Sequence, residues 1–241
     1  MKLLALETAT EACSVALYLD GEVLERHELA PRRHAELALP WIEELLARAG
    51  LAKSQLDAIA CGRGPGSFTG VRLAVAMAQG LALALDRPAI GVSTLEALAL
   101  PAMHALDAED AAAHTGVLAA IDARMAEVYL ADYRRDGPDA WRRQGEEAVI
   151  APGRVSLVDA SQRIGVGTGF AAENAALVER LGACLVRVDP HALPHAGDVA
   201  RLAVSALARG EGVAAEQLQP AYLRNKVALT LAEQGKPTPA T

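Results

Sequence analysis

Apolar positions along the chain follow two spacings, one of strands and one of helices. Lys2–Glu7 and Cys13–Leu19 are short, nearly continuous apolar runs that read as strands. Asp20-Gly21 is a hairpin signal leading into a third strand, Glu22–Leu29. His34–Ala49 then has helical spacing, with Leu37, Trp41 and Leu45 four apart and Ile42, Leu46 and Ala49 beside them. Pro40 sits inside that pattern and is expected to start, bend or interrupt the helix. Leu56–Gly62 reads as a strand, Gly64–Gly70 as a loop and Val71–Leu85 as a second helix. Ala89–Val92 reads as a further strand and Leu95–Leu106 as a helical stretch. This order predicts a mixed α/β layout.

The second half begins the pattern again. Gly116–Asp122 matches Lys2–Glu7 in type, an apolar strand ending in an acid. Each is followed by a polar loop, a new strand (Met125–Tyr133 in the second case) and an Asp-Gly or Asp-Gly-Pro turn. Arg163–Gly167 and Cys184–Val188 read as later strands, Ala171–Leu181 and Gly197–Arg209 as helices. A period of ~115 residues is too long for a solenoid and points to a duplicated α/β domain. Ala108–Thr115 reads as a surface crossover and the proline-bearing end, Gly235–Thr241, as a disordered tail.

Composition narrows the core. The 241 residues are 52% hydrophobic but only 3% aromatic, so alanine, leucine and valine must build most of it. A net charge of −7 argues against tight nucleic-acid binding by this chain alone. Arg32-Arg33, Arg134-Arg135 and Arg142-Arg143 read as solvated faces. Cys13, Cys61 and Cys184 are odd in number and far apart, fitting neither a disulfide framework nor a zinc site. The opening apolar run meets Glu7 too soon for a signal-peptide core. No stretch is read as reaching the ~18 apolar residues of a membrane helix, and the expected location is cytoplasmic.

The glycine loop is the main candidate for chemistry. Gly64, Pro65, Gly66, Ser67, Phe68, Thr69 and Gly70 allow a tight strand-to-helix connection, with Ser67 or Thr69 as helix cap. Such a loop also exposes backbone N–H groups that suit an anion. It has neither the Walker spacing nor a dinucleotide G-x-G-x-x-G, so a structural turn and an anion site stand level. The helix after it carries no charge over Leu73–Leu85 and must be covered on all sides. It is either a central core helix or a protein interface, its Ala76 and Gly80 admitting another helix closely. Glu7 and Asp122 could face each other like paired catalytic acids with Arg124 nearby, ordinary strand-end carboxylates being the plainer alternative. His191 and His195 are four apart but flanked by Pro190 and Pro194, which disfavours a metal pair. His27, His104 and His114 are expected on the surface. No Gly-x-Ser-x-Gly or H-E-x-x-H is present.

Several of these segments, taken in order, resemble one family. Leu4–Thr10 with Cys13–Leu17, Gly64–Arg72, Val92–Ala99, Asp122–Arg124 with Glu127–Tyr129, and Pro220–Arg224 are similar to the TsaB (YeaZ) family across residues 1 to 225. The resemblance implies an actin/Hsp70-like (ASKHA, ribonuclease H-like) duplicated fold, with lobes at 1–107 and 108–225, a last helix able to pack back on the first lobe, and a tail at 226–241. It implies a non-catalytic subunit of the machinery that makes threonylcarbamoyladenosine in tRNA, beside the catalytic paralogue TsaD and the P-loop ATPase TsaE. Family members pair with TsaD or with themselves through the first two helices, which nominates Leu37, Trp41, Ile42, Leu45, Arg72, Leu73, Ala76, Met77 and Gly80. Contact with tRNA would come only through the complex. No cofactor is expected on this chain alone, with ATP or ADP at the junction with TsaD as a further implication.

The departures from the catalytic paralogue matter as much. Thr94 and Leu98 stand where that subunit has two metal-binding histidines. Thr8–Ala12 lacks the glycines of an active phosphate hairpin, and so does Ala123–Ala126. Glu7, Thr8, Thr10, Asp122, Arg124, Gly165 and Gly167 are therefore read as a vestigial nucleotide site, with no metal. The rival reading is an independent ATP-binding kinase or ATPase of the same fold.

Overall fold

The computed structural model describes residues 1–108, 115–136 and 140–224. Two five-stranded sheets organise the chain. In the first, β1 (Lys2–Glu7) pairs antiparallel with β2 (Ala12–Leu19) and parallel with β4 (Ala58–Gly62). Strands β3 (Glu22–Leu29) and β5 (Ala89–Val92) form the edges, giving the order β3-β2-β1-β4-β5. In the second, β6 (Gly116–Arg124) pairs antiparallel with β7 (Glu127–Arg135) and parallel with β9 (Arg163–Val166). With β8 (Trp141–Ile150) and β10 (Leu185–Asp189) at the edges, the order β8-β7-β6-β9-β10 repeats that of the first sheet. The sequence repeat is thus a repeat of strand order and direction.

Side-chain alternation along β1 sends residues to two different helix layers. Leu4 and Leu6 face α1 (His34–Ala49) and α2 (Phe68–Leu85), joining Trp41, Ile42, Leu45, Ala74 and Val75 in one core. Leu3 and Ala5 face α5 (Ala196–Ala208), whose Ala196, Val199, Ala200 and Ala203 lie against Ala16, Ala58 and Ala60. Alanine on alanine is how a chain so poor in aromatics closes its layers: small side chains let helix and sheet approach closely. The second sheet is covered by α3 (Thr94–Ala108) on one face and α4 (Ala172–Leu181) on the other.

Chain order and packing differ here. Helix α3, assigned by sequence to the first lobe, covers the second sheet, while α5 returns to the first sheet. Val213 exchanges backbone hydrogen bonds with Ala89 at the edge of that sheet.

Local differences from the sequence reading have local causes. Helix α1 runs uninterrupted through Pro40, which lies on its exposed side. Helix α2 begins at Phe68, inside the stretch read as loop, with Ser67 as N-cap: its Oγ accepts from the Gly70 N–H at 3.5 Å. Counted from Phe68, α2 has 18 residues and a mean hydropathy of 1.5, so one helix does meet the length and composition of a membrane span, contrary to the sequence reading. Here it packs as a surface-layer helix, with Gln79 Nε2 donating to the Leu218 carbonyl. Strand β8 has no counterpart in the hydrophobic pattern because its polar, half-exposed residues carry no strand periodicity. In α4, Glu173, Asn174 and Ala175 have left-handed backbone, so regular helix starts later than the apolar spacing suggests. The crossover after Ala108, the Gly-Pro part of the turn after Asp136, His114 and the 226–241 tail lie outside the described residues.

Candidate functional site

The glycine loop is packed against the β1–β2 turn. A Cβ on Gly70 would lie 1.9 Å from the Thr8 carbonyl oxygen, and one on Gly66 would lie 2.5 Å from that of Ala9. The Ser67 N–H donates to Ala9 O at 2.7 Å, and the Thr8 hydroxyl donates to Gly70 O at 2.7 Å. The protein's own backbone therefore fills the space beside these two glycines and takes the Ser67 N–H, which is what a structural turn requires.

Helix α2, which the loop launches, has two unlike sides. Gly70, Val71, Ala74, Val75, Ala78 and Ala82 are buried on the sheet. Arg72, Ala76, Gly80, Leu83 and Ala84 are exposed, Leu73 and Met77 half-buried. Leu83 is 73% exposed, and nothing lies within 4 Å of a Cβ built on Gly80. The helix expected to need cover on every side is thus uncovered on one, across a stripe without charge below Arg72.

Helix α1 does not extend that stripe through the residues nominated for it. Trp41, Ile42 and Leu45 are 5%, 1% and 0% exposed and belong to the core beneath the helix, with Leu37 half-buried against it. Their four-residue spacing is the mark of the face that packs on the chain's own sheet. At the N-terminal end of α2, by contrast, the Arg72 guanidinium lies 3.6 Å from the centroid of the exposed Phe68 ring. Its Nε donates to the Tyr222 hydroxyl at 2.8 Å. No periodicity announces this cluster, because its third member arrives 150 residues later.

Between the lobes lies a cavity of about 780 Å³ whose lining includes Thr10, Ser67, Phe68, Asp122, Arg124 and Tyr222. The proposed acid pair does not converge there. Asp122 lines the cavity and is paired with Arg124 at 2.8 Å. Glu7 is 1% exposed and tied inward, accepting from Ala9 N at 2.7 Å and from the Thr94 hydroxyl at 3.1 Å. Burial raises its carboxyl to about 7 against the partial relief of those hydrogen bonds. Thr10 is buried, and its carbonyl lies 3.0 Å from His34 Nε2. A Cβ on Gly165 would meet the Phe170 ring at 2.6 Å, and one on Gly167 the Ala120 carbonyl at 2.3 Å. These glycines serve close packing of β9 and the turn after it.

Of the two positions that the resemblance compares with metal-binding histidines, Thr94 is fully buried on Glu7 and Leu98 sits in the second core. Among the described residues no group of three or more His, Cys, Asp or Glu side chains converges as a metal would require. His195 pairs with Glu25 at 3.3 Å, which raises the imidazole's proton affinity, and stacks on His27 with ring centroids 3.9 Å apart. His27 is thus not a free surface residue: its Nε2 is buried, and burial lowers its pKa. Cys13 and Cys61 are buried thiols, as expected.

Known proteins agree with this arrangement. The model of the family described as "TsaD: tRNA N6-adenosine threonylcarbamoyltransferase" matches residues 26–230. The tRNA threonylcarbamoyladenosine biosynthesis protein TsaB of Escherichia coli is 44% identical over 95% of this chain and 96% of its own length. TsaB of Haemophilus influenzae is 40% identical over 94% and 95%. The solved structure of YeaZ from Pseudomonas aeruginosa is 49% identical, with a TM-score of 0.80 over 92% of this chain and 99% of that one. The twin sheets have the duplicated actin-like α/β fold, and with identity running nearly end to end, the chain belongs to the TsaB (YeaZ) family.

Proposed function

We propose that this chain is a non-catalytic, cytoplasmic subunit of the machinery that forms threonylcarbamoyladenosine in tRNA, and that it docks a TsaD-type catalytic paralogue on the open face of α2. The observation that carries the proposal is that face: Ala76, Gly80, Leu83 and Ala84 are exposed and uncharged, on a helix without a charged residue after Arg72. Small residues four apart let a second helix approach closely, and an apolar face gains by burial at about 25 cal/mol per Å². The names of the Escherichia coli and Haemophilus influenzae relatives, both TsaB, support the pathway. A TsaE-type ATPase completes the assembly, tRNA is met through the complex, and a nucleotide belongs at the subunit junction. The same face allows two copies of this chain to pair when the paralogue is absent.

The non-catalytic reading rests on side-chain identity. Thr94 and Leu98 supply no imidazole, and the carboxylate of Glu7 points into the protein and away from the cavity. Size-exclusion chromatography of Gly80→Glu with a TsaD-type partner tests the docking face. The variant is expected to remain folded and to elute apart from the partner; co-elution as readily as wild type would overturn this face as the contact.

A further inference from the structure

The segment Leu218–Arg224 touches both lobes. Its first residues are fixed to the first lobe: Leu218 O accepts from Gln79 on α2 at 2.9 Å, and Ala221 N donates to Arg63 O, beyond β4, at 2.7 Å. Tyr222 joins the cluster on α2, its ring 5.5 Å from the Arg72 guanidinium and its hydroxyl accepting from Arg72 Nε. Two residues on, Arg224 reaches the β6–β7 hairpin of the second lobe. Its Nη2 donates to the Glu127 carboxylate at 2.5 Å and to the Arg124 carbonyl at 3.3 Å, while Nη1 lies 3.2 Å from the Met125 sulfur. Arg224 is held deeply, with only 16% of its side chain exposed.

The hairpin so held is strained. Arg124, Met125 and Ala126 have φ of 60°, 57° and 57°, with no glycine among them. Left-handed backbone costs a residue with a Cβ free energy, and such a turn persists only where its surroundings hold it. Asp122 holds one side, accepting from Arg124 N at 2.7 Å, and Arg224 holds the other. Both the hairpin and Ala221–Arg224 line the interlobe cavity.

We propose that Leu218–Arg224 is a strap coupling the partner face of α2 to the hairpin across the interlobe cavity, with Arg224 as its positioning residue. This rests on reading α2 as the partner face. A partner seated beside Phe68 and Arg72 restrains Tyr222, and Tyr222 restrains Arg224 two residues later. The hairpin is then held in its left-handed turn, and by reciprocity a well-held hairpin favours the partner-competent face.

Hydrogen-exchange mass spectrometry of the full chain tests the coupling. In the isolated chain, Arg224→Ala is expected to speed exchange roughly tenfold in the hairpin peptide and measurably in the first turn of α2, since one charge-assisted bond is worth about that factor. Glu127→Gln, which keeps the shape of the hairpin, should give the same paired pattern more weakly. Faster exchange confined to the hairpin, with the start of α2 unchanged in both variants, would overturn the strap. Arg224→Ala should also weaken the complex with a TsaD-type partner several-fold although the residue lies off the α2 stripe; unchanged affinity would refute the link to docking. Gly80→Glu separates the two readings, because it should abolish the complex without altering exchange in either segment of the isolated chain. Should that variant still assemble, the docking face fails while the exchange result stands on its own.

Discussion

Replacing Glu7 by glutamine is expected to remove a pH-dependent loss of stability. The carboxyl is fully buried, and its pKa is raised from an ordinary 4.5 to about 7. At about 1.4 kcal/mol per pH unit, that displacement amounts to about 3 kcal/mol. The sign follows from proton counting. Below pH 4.5 both folded and unfolded chains hold the proton, and nothing is lost. Between 4.5 and 7 the unfolded chain releases it while the folded chain keeps it, so stability falls as pH rises; above 7 the full penalty remains. Glutamine does not titrate. Its carbonyl can accept from Ala9 N, and its amide can donate to the Thr94 hydroxyl, which in the wild type donates to the Glu7 carboxyl. Urea unfolding of wild type and Glu7→Gln at pH 5, 6, 7 and 8 should show the variant gaining on wild type by about 2–3 kcal/mol across the series. Comparing the two proteins cancels other titrations, such as that of His195, whose pKa is also raised and whose stabilisation is likewise lost as pH rises. Parallel pH profiles would refute the reasoning, showing a Glu7 that ionises as freely in the fold as outside it.

Three further expectations follow from space at the glycines and from the cavity. Gly70→Ala places a Cβ against the Thr8 carbonyl and should lower stability by about 3 kcal/mol or more, seen as a Tm lower by roughly 6–12 °C. Gly80→Ala meets open space on a helix and should raise stability by up to about 1 kcal/mol. Calorimetry of the isolated chain with magnesium-ATP should show no binding heat; micromolar binding would revive the rival reading of an independent ATP-dependent enzyme.

Much of the first lobe was legible because its periodicities are unambiguous. Lys2–Glu7, His34–Ala49 and Ala89–Val92 fall where their apolar patterns put them, and Glu22–Leu29 where the Asp20-Gly21 hairpin signal puts it. Spacing cannot say which structure an apolar stripe meets, however. Spacing leaves both readings of Trp41, Ile42 and Leu45 open, the family resemblance nominates them for a partner, and they pack on their own sheet. Helix α2 carried the opposite ambiguity: apolar on all sides, it gave no hint of which side the sheet would leave open. At Gly165 and Gly167 glycine marks close approach without naming what approaches; Phe170 and Ala120 lie against them. The polar edge strand β8 and the Tyr222–Arg224 contacts had no periodic signal, since tertiary partners alone define them.

Reconstitution of tRNA threonylcarbamoylation from purified components tests the central claim most directly. With a TsaD-type enzyme, a TsaE-type ATPase, the threonylcarbamoyl donor and tRNA present, product should form over many turnovers only when this chain is added. Gly80→Glu should fail to support it, and Thr94→Ala, at a position that the resemblance compares with a metal-binding histidine, should support it like wild type if that variant remains folded. Full activity without the chain, or undiminished activity with Gly80→Glu, would contradict a supporting subunit that acts through the open face of α2.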